Sequence, residues 1–428
     1  MGTLGGGHAG DVLVQKYGGS SLATDEQLFN AARRIGAAAR AGRRVVAVVS
    51  ARGSTTDDLI RQAAAVNPRA EGRELDHLLA TGEAASASLA AMALQRTGLD
   101  ATALSGAQSG ILASGAHGAG IIVAIDAERT VKLLDSGRIA VIAGFQGVTA
   151  EGDVITLGRG GSDTTAVAVA AGLGARTCEI YTDVAGVFSA DPRIVPAARL
   201  LPSVDVDVMA EMAFAGARVM HARAVELAAL YGVDIHVGHA AGAEAGTRIH
   251  STDGEDMLEA KAAVMAVVHD PDVVRITLRT TAAQEDSALA VLQILARQGV
   301  PADMAAVSET PGGGQSFGVT VHHTHADAVR RAFAELAVSP SCGVDIDEDV
   351  AKVSIVGKGL LSRPGYAARM LSSLTGSGIA ARSLSTSQLR VSVTVPGEDT
   401  ARAVGLLHSE FGLDAGTGPH PLHLAHRP

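Results

Sequence analysis

The strongest constraint on the fold is a hydrophobic pattern that changes character once. Up to about residue 250, short continuous apolar runs alternate with amphipathic stretches. Val45-Val46-Ala47-Val48-Val49 is such a run and reads as a strand covered on both faces. Residues 12–14, 139–143, 179–181 and 234–237 read as further strands. Helical spacing falls over residues 25–40, 74–96, 162–172, 206–213 and 217–231. This alternation predicts an α/β layered sheet. Residues 242–259 are polar and glycine-containing and read as a linker. Behind them a unit recurs with a period of roughly 75–79 residues. Val273-Val274-Arg275-Ile276-Thr277-Leu278 is echoed by Val350-Ala351-Lys352-Val353-Ser354-Ile355, and Gly299-Val300-Pro301 by Gly378-Ile379-Ala380. Each copy reads β-α-β-β-α-β, so two small split-βαβ modules are expected behind a larger α/β domain.

Composition narrows the function. With 428 residues, 47% of them hydrophobic, several packed domains are affordable. A net charge of −10 argues against a nucleic-acid footprint or a polybasic membrane patch. Charged or polar residues interrupt every apolar stretch before the roughly 20 residues that a bilayer span needs. Residues 1–10 have neither the basic nor the apolar region of a secretory signal. Cys178 and Cys342 are too few for a disulfide framework, so a cytoplasmic location is expected, with Cys178 an inert core thiol.

Two glycine loops stand where strands end and helices begin. In Lys16-Tyr17-Gly18-Gly19-Ser20-Ser21, backbone N–H groups could approach phosphate oxygens beside the Lys16 charge. A tight turn with a solvated lysine fits the same residues. In Gly158-Arg159-Gly160-Gly161-Ser162-Asp163, three glycines open directly into a helix, and the Arg159 guanidinium could grip a carboxylate. An ordinary capped loop is the alternative. Thr182 and Asp183 follow a buried strand, where α/β sheets bind ligands. Gly5-Gly6-Gly7-His8-Ala9-Gly10 precedes a strand instead of following one and reads as a leader. His322-His323-Thr324-His325 lacks partner ligands, and His420, His423 and His426 lie in a Pro-containing tail.

These motifs, with Ser50-Ala51, Thr55-Thr56-Asp57-Asp58, Arg73-Glu74-Leu75-Asp76, Thr81-Gly82-Glu83 and Gly144-Phe145-Gln146-Gly147, resemble the aspartate kinases of the amino-acid kinase superfamily in type and order. The tandem repeat is similar to their paired ACT regulatory domains. The resemblance implies a three-layer αβα kinase domain over residues 11–250 with a largely parallel eight-stranded sheet. It implies ferredoxin-like ACT domains over 265–340 and 345–417. It also implies ATP- and Mg²⁺-dependent phosphorylation of the β-carboxylate of L-aspartate, the first step towards lysine, threonine and methionine. By position, Lys16, Gly18, Gly19 and Ser20 match residues that cradle phosphates. Thr182, Asp183, Phe188 and Arg193 match further nucleotide contacts. Ser50, Thr56, Glu83, Arg159 and Ser162 match the amino-acid site, with Arg159 on a carboxylate and Glu83 facing the ammonium. Asp163 matches an acidic residue that organises Lys16. No metal-ligating protein residue is assigned.

The chain departs from the family at Arg218, where a phosphate-contacting lysine is usual. In the effector loops, where lysine or threonine would bind, Asp303, Ser385 and Thr386 are the candidate contacts. Thr281-Ala282-Ala283-Gln284-Glu285-Asp286 and Gln388 depart there from the usual residues, so weakened feedback is expected. A homo-oligomer or an α2β2 assembly through the ACT domains is implied, and Met257 or Met265 could begin a separately translated regulatory subunit. A kinase for another amino dicarboxylic acid and a silent amino-acid-binding regulator are the competing readings.

Overall fold

The computed structural model describes residues 12–242, 246–251, 263–280, 287–297, 299–310, 314–327, 329–331 and 342–414. The expected leader, Met257, residues 281–286 and the tail histidines lie outside the described residues, as do 243–245 and 252–259 of the expected linker, whose residues 247–250 instead form a strand of the first unit. The chain divides into two compact units. The first comprises residues 1–187, 200–214 and 218–256; the second comprises 188–199, 215–217 and 257–428.

The first unit is built on eight strands, β1 (Val12–Tyr17), β2 (Arg44–Val49), β3 (Ala101–Leu104), β6 (Ile139–Ala143), β9 (Thr177–Thr182), β10 (Ser203–Asp205), β11 (Asp234–His239) and β12 (Thr247–His250). Their order is β10-β12-β11-β9-β1-β2-β6-β3. Every pairing is parallel except β11 with β12. This is the largely parallel αβα architecture expected, and the continuous apolar runs exist because both faces are covered. Helix α1 (Asp25–Arg40) begins with a Thr24–Gln27 capping box and buries Leu28, Ala31, Ala32 and Ile35. Helices α2 (Thr55–Val66), α3 (Arg73–Arg96), α4 (Glu128–Asp135), α5 (Gly161–Gly172), α6 (Val206–Ala215) and α7 (Ala222–Tyr231) complete the unit. A second sheet, β4 (Ile111–Ser114), β5 (Ile121–Ile125), β7 (Gln146–Val148) and β8 (Val154–Thr156), runs in the order β5-β4-β7-β8. The periodicity did not reveal this small sheet. Helical structure expected from residue 217 starts only at Ala222, because His221 is extended at the cap.

The order of the large sheet reverses at β1, which has β2 on one side and β9 on the other. The crevice beyond the carboxyl ends of β1 and β9 is therefore a topological switch point, where such sheets bind ligands.

The second unit carries one six-stranded sheet, in the order β14-β15-β13-β16-β18-β17. Its elements are β13 (Ala263–Thr280), α8 (Ser287–Arg297), β14 (Asp303–Thr310), β15 (Gly314–His322), β16 (Cys342–Lys358), α9 (Gly365–Gly376), β17 (Leu384–Thr386), β18 (Arg390–Pro396) and α10 (Thr400–Glu410). The two modules are interleaved. The later half of β13 pairs with β15 and with the first half of β16, closing the first module. The early part of β13, residues 263–270, pairs with 352–358 of β16 and so supplies the outer strand of the second module. Val274, Ile276, Leu278, Val291, Leu295 and Phe317 form one core. Val353, Ile355, Met370, Leu374, Val393 and Leu407 form the other, which also takes in Ala190 and Val195.

Candidate active site

Lys16 leaves the end of β1 with its ammonium 2.6 Å from Asp163, and both side chains are only 11% exposed. Each charge would be costly to bury alone, so the pair fixes where Lys16 points. Asp163 sits with Ser162 in the buried first turn of α5, whose open N–H groups favour an anion. After β1 the chain turns through Gly18 and a short helical turn, Gly19–Ser21. The Gly18 N–H donates to the Tyr181 carbonyl (3.2 Å), and the Gly53 N–H to that of Gly19 (3.0 Å). A Cβ at Gly19 would lie 2.5 Å from the Ala51 carbonyl oxygen, so this backbone approach admits only glycine. Beneath it Tyr17 stacks on Tyr181 with ring centroids 5.1 Å apart, and Arg34 lies over the Tyr181 ring.

Glu83 comes from α3 and is 3% exposed. Its Oε1 accepts the Ala51 N–H at 3.2 Å, while Oε2 is buried without a partner. Burial pushes the carboxyl up to about 7, against the smaller opposing effect of the Ala51 N–H. A buried, half-satisfied carboxylate of this kind fits a ligand cation. Ser50 is half-buried just beyond β2, and Thr56 is half-buried in the first turn of α2. Arg159 is exposed between β8 and α5.

Thr182 ends β9, and its hydroxyl donates to Asp183 at 3.0 Å. These two residues, with Ser20, Gln27, Asn30 and His239, line a shallow groove beside the glycine turn. Gln27, Asn30 and His239 were not anticipated. The one available signal was that His239 closes a parallel strand next to β9. His221 was missed as well: a Cβ at Gly160 would fall 2.1 Å from the His221 Cβ, so His221 walls the Arg159 loop. Phe145 holds a positive φ of 68° at the adjoining turn, a conformation non-glycine residues rarely adopt.

Some candidates do not gather in this unit. Phe188 and Arg193 belong to the second unit, where Arg193 pairs with Asp191 at 2.6 Å. Arg218 is exposed in the turn before α7. In the second unit, Asp303 at the start of β14 is held by Lys352 (2.9 Å) and Arg390 (3.0 Å). Ser385 and Thr386 lie on β17 at the other edge of the sheet. Cys178 is buried in β9, and burial pushes its thiol well above the ordinary range, leaving it unreactive.

A switch-point crevice with a buried lysine, a glycine turn and a helix N-terminus defines a phosphoryl-transfer site on an αβα sheet, and residues 11–239 match the model of the amino acid kinase family. Residues 353–411 match the model of the ACT domain. The chain is 41% identical over 406 residues to the aspartokinase of Thermus thermophilus, covering 94% of this chain and 99% of that one. It is 39% identical over 404 residues to aspartokinase 2 of Bacillus subtilis, covering 94% and 98%. Among solved structures, E. coli aspartokinase III in complex with aspartate and ADP superposes with a TM-score of 0.79 at 23% identity, covering 93% and 99%. Aspartate kinase from Synechocystis gives a TM-score of 0.53 at 34% identity, covering 94% and 69%. The chain belongs to the aspartokinases, enzymes that phosphorylate aspartate with a nucleotide as donor, here with a C-terminal ACT region. Among the described residues, no helix is long and apolar enough to cross a membrane.

Proposed function

We propose a division of labour for the aspartokinase reaction in this crevice. The observation that carries it is Glu83, a buried carboxylate with one oxygen unpartnered and the other on the N–H of Ala51, whose carbonyl faces Gly19. Glu83 accepts the substrate ammonium, Arg159 takes the α-carboxylate as a fork, and Ser50, Thr56 and Ser162 supply short polar contacts. The β-carboxylate of L-aspartate is the nucleophile and is ionised at neutral pH, so no general base is needed. One of its oxygens bonds to the terminal phosphorus of ATP as the bond to ADP breaks, giving 4-phospho-L-aspartate. Lys16, steered by Asp163, and the N–H groups of the Gly18–Gly19–Ser20 turn and of α5 offset the repulsion between the two anions.

Thr182 and Asp183 border the nucleotide, with Arg218 of the same unit as a further candidate contact. The donor set suits Mg²⁺ arriving on the nucleotide. Among the described residues, the trio of potential ligands that comes together, Asp270, Asp272 and His322, belongs to the second unit. Beside Lys16, the carboxylates of Asp163 and Asp183 could at most supplement phosphate oxygens. When bound, Mg²⁺ would supply charge neutralisation at those phosphates.

The proposal extends to regulation and setting. The product would enter lysine, threonine and methionine synthesis in the cytoplasm. The second unit would hold an effector amino acid and assemble the oligomer, supported by β14 and β17, which end its sheet among the described residues. Asp303 is already engaged by two cations, so the response to lysine or threonine would be weak. The test is hydroxylamine trapping of the acyl phosphate formed from ATP, Mg²⁺ and L-aspartate, beside a panel of related acids, with and without lysine plus threonine. Selective signal with aspartate, and a raised KM for aspartate in Arg159→Ala, support the reading. Signal only with another acid, or nucleotide binding without turnover, overturns it.

A further inference from the structure

Arg159 is useful only if something fixes the loop that carries it. Strand β8 is short and lies at the edge of its sheet; its strand partner among the described residues is β7, and on the other side the Gly120 N–H donates to the Thr156 carbonyl at 2.8 Å. The same side is also met by Asp76 of α3, whose side chain is 3% exposed. Asp76 Oδ1 accepts the Thr156 hydroxyl at 2.6 Å. Its Oδ2 accepts the backbone N–H groups of Thr156 (2.8 Å) and Gly118 (3.0 Å) and lies 3.0 Å from His117 Nδ1. One residue on, Arg223 donates to the carbonyls of Leu157 (2.7 Å) and Gly120 (2.9 Å). A Cβ on Gly158 would lie 2.8 Å from the Gly118 carbonyl oxygen, so the 117–120 loop is seated directly against the Arg159 loop.

Asp76 and Glu83 stand seven residues apart, two turns along one helix, and both are on its buried face. One rigid element therefore places Glu83 directly and Arg159 through Thr156. We propose that Asp76 is a positioning residue that sets the spacing between Glu83 and Arg159, and thereby the length of amino dicarboxylate the enzyme accepts. This inference rests on the roles assigned above to Glu83 and Arg159. Asp76 itself touches no reacting atom. An amino acid longer by one methylene places its carboxylates differently with respect to a fixed ammonium site, so the rigidity of β8 becomes discrimination.

The experiment measures initial rates for the full-length enzyme and its Asp76→Asn, Thr156→Val, Thr156→Ser and Arg159→Ala variants, with L-aspartate and L-glutamate as acceptors. ADP affinity is measured in parallel by calorimetry. Asp76→Asn removes the acceptor for the Thr156 hydroxyl or N–H and should raise KM for aspartate about tenfold or more. Thr156→Val should raise it about threefold, and Thr156→Ser should restore the wild-type value. The aspartate-over-glutamate ratio of kcat/KM should fall in the first two variants, while ADP affinity stays within about twofold. A merely structural role would weaken both substrates together and leave the selectivity ratio unmoved; that result overturns the proposal, as does a Thr156→Ser variant no better than Thr156→Val. Should Asp76→Asn fail to fold, the two Thr156 variants decide alone. If Arg159→Ala leaves KM for aspartate unchanged, the underlying assignment has failed. If Arg159→Ala raises KM while the Asp76 and Thr156 variants do not, only the positioning role has failed.

Discussion

Replacing Glu83 by glutamine should make the empty protein more stable and the enzyme much worse. The carboxyl is held up to about 7 by burial, against an ordinary value of 4.5. Between those two values the folded protein binds a proton that the unfolded chain has released. Stability therefore falls as pH rises through that window, and the loss is complete above about 7. At about 1.4 kcal/mol per pH unit, the ionised side chain costs the empty protein about 3 kcal/mol. Glutamine keeps the shape and can still accept the Ala51 N–H, yet carries no charge to desolvate. At pH 8 the empty Glu83→Gln protein should unfold several degrees later than wild type, and at pH 4.5 the two should coincide.

Activity should move the other way. If the ionised carboxylate receives the substrate ammonium, kcat/KM for aspartate in the wild type should fall about tenfold for each pH unit below about 7, because that parameter reports groups of the free enzyme. Glu83→Gln loses a charge-assisted hydrogen bond worth about 1.5–3 kcal/mol, so kcat/KM should drop by roughly 10- to 150-fold at pH 8. Its acid limb near pH 7 should vanish. Rates followed by ADP formation and thermal unfolding of the substrate-free protein, both from pH 5 to 9, check the two halves together. An acid limb that persists near pH 7 in the variant refutes the assignment. A variant less stable than wild type at pH 8 refutes the desolvation argument.

Gly160→Ala should abolish activity without unfolding the chain: Gly160 has a φ of 70°, and its added Cβ would collide with His221. A small-residue change at His221 should recover part of the rate, measured by ADP formation. Asp303→Asn should destabilise the second unit by about 1.5–3 kcal/mol, because it removes a charged acceptor shared by the buried Lys352 and Arg390. Burial alone would raise the Asp303 carboxyl, but Arg390 and Lys352 outweigh it and hold it down to about 2. The contribution is present above the ordinary carboxylate value and is lost as pH falls towards 2, which urea unfolding at pH 7 and pH 3 would detect.

What could be read in advance followed from covalent proximity. Lys16, Gly18 and Gly19 announce themselves because one turn of backbone carries most of the proposed phosphate cradle, and Arg159, Ser162 and Asp163 because a single loop opens into α5. Glu83 needed the resemblance, since a lone acid in an Ala/Leu-rich helix has no periodicity to distinguish it from a solvated face. Asp76, His221 and His239 act on residues tens of positions away, and nothing local marks them. The same physics explains the interleaved modules. Strand pairing is indifferent to chain order, so a repeat predicts how often a βαββα unit occurs but not which segment closes each sheet. Residues 263–270 resemble any half-buried strand, yet they complete the later module instead of the one they precede. A chain begun at Met265 would accordingly start inside β13 and remove the residues paired with Gly357 and Lys358. The closing strand of the second module thus sets how far upstream a self-sufficient regulatory segment must begin.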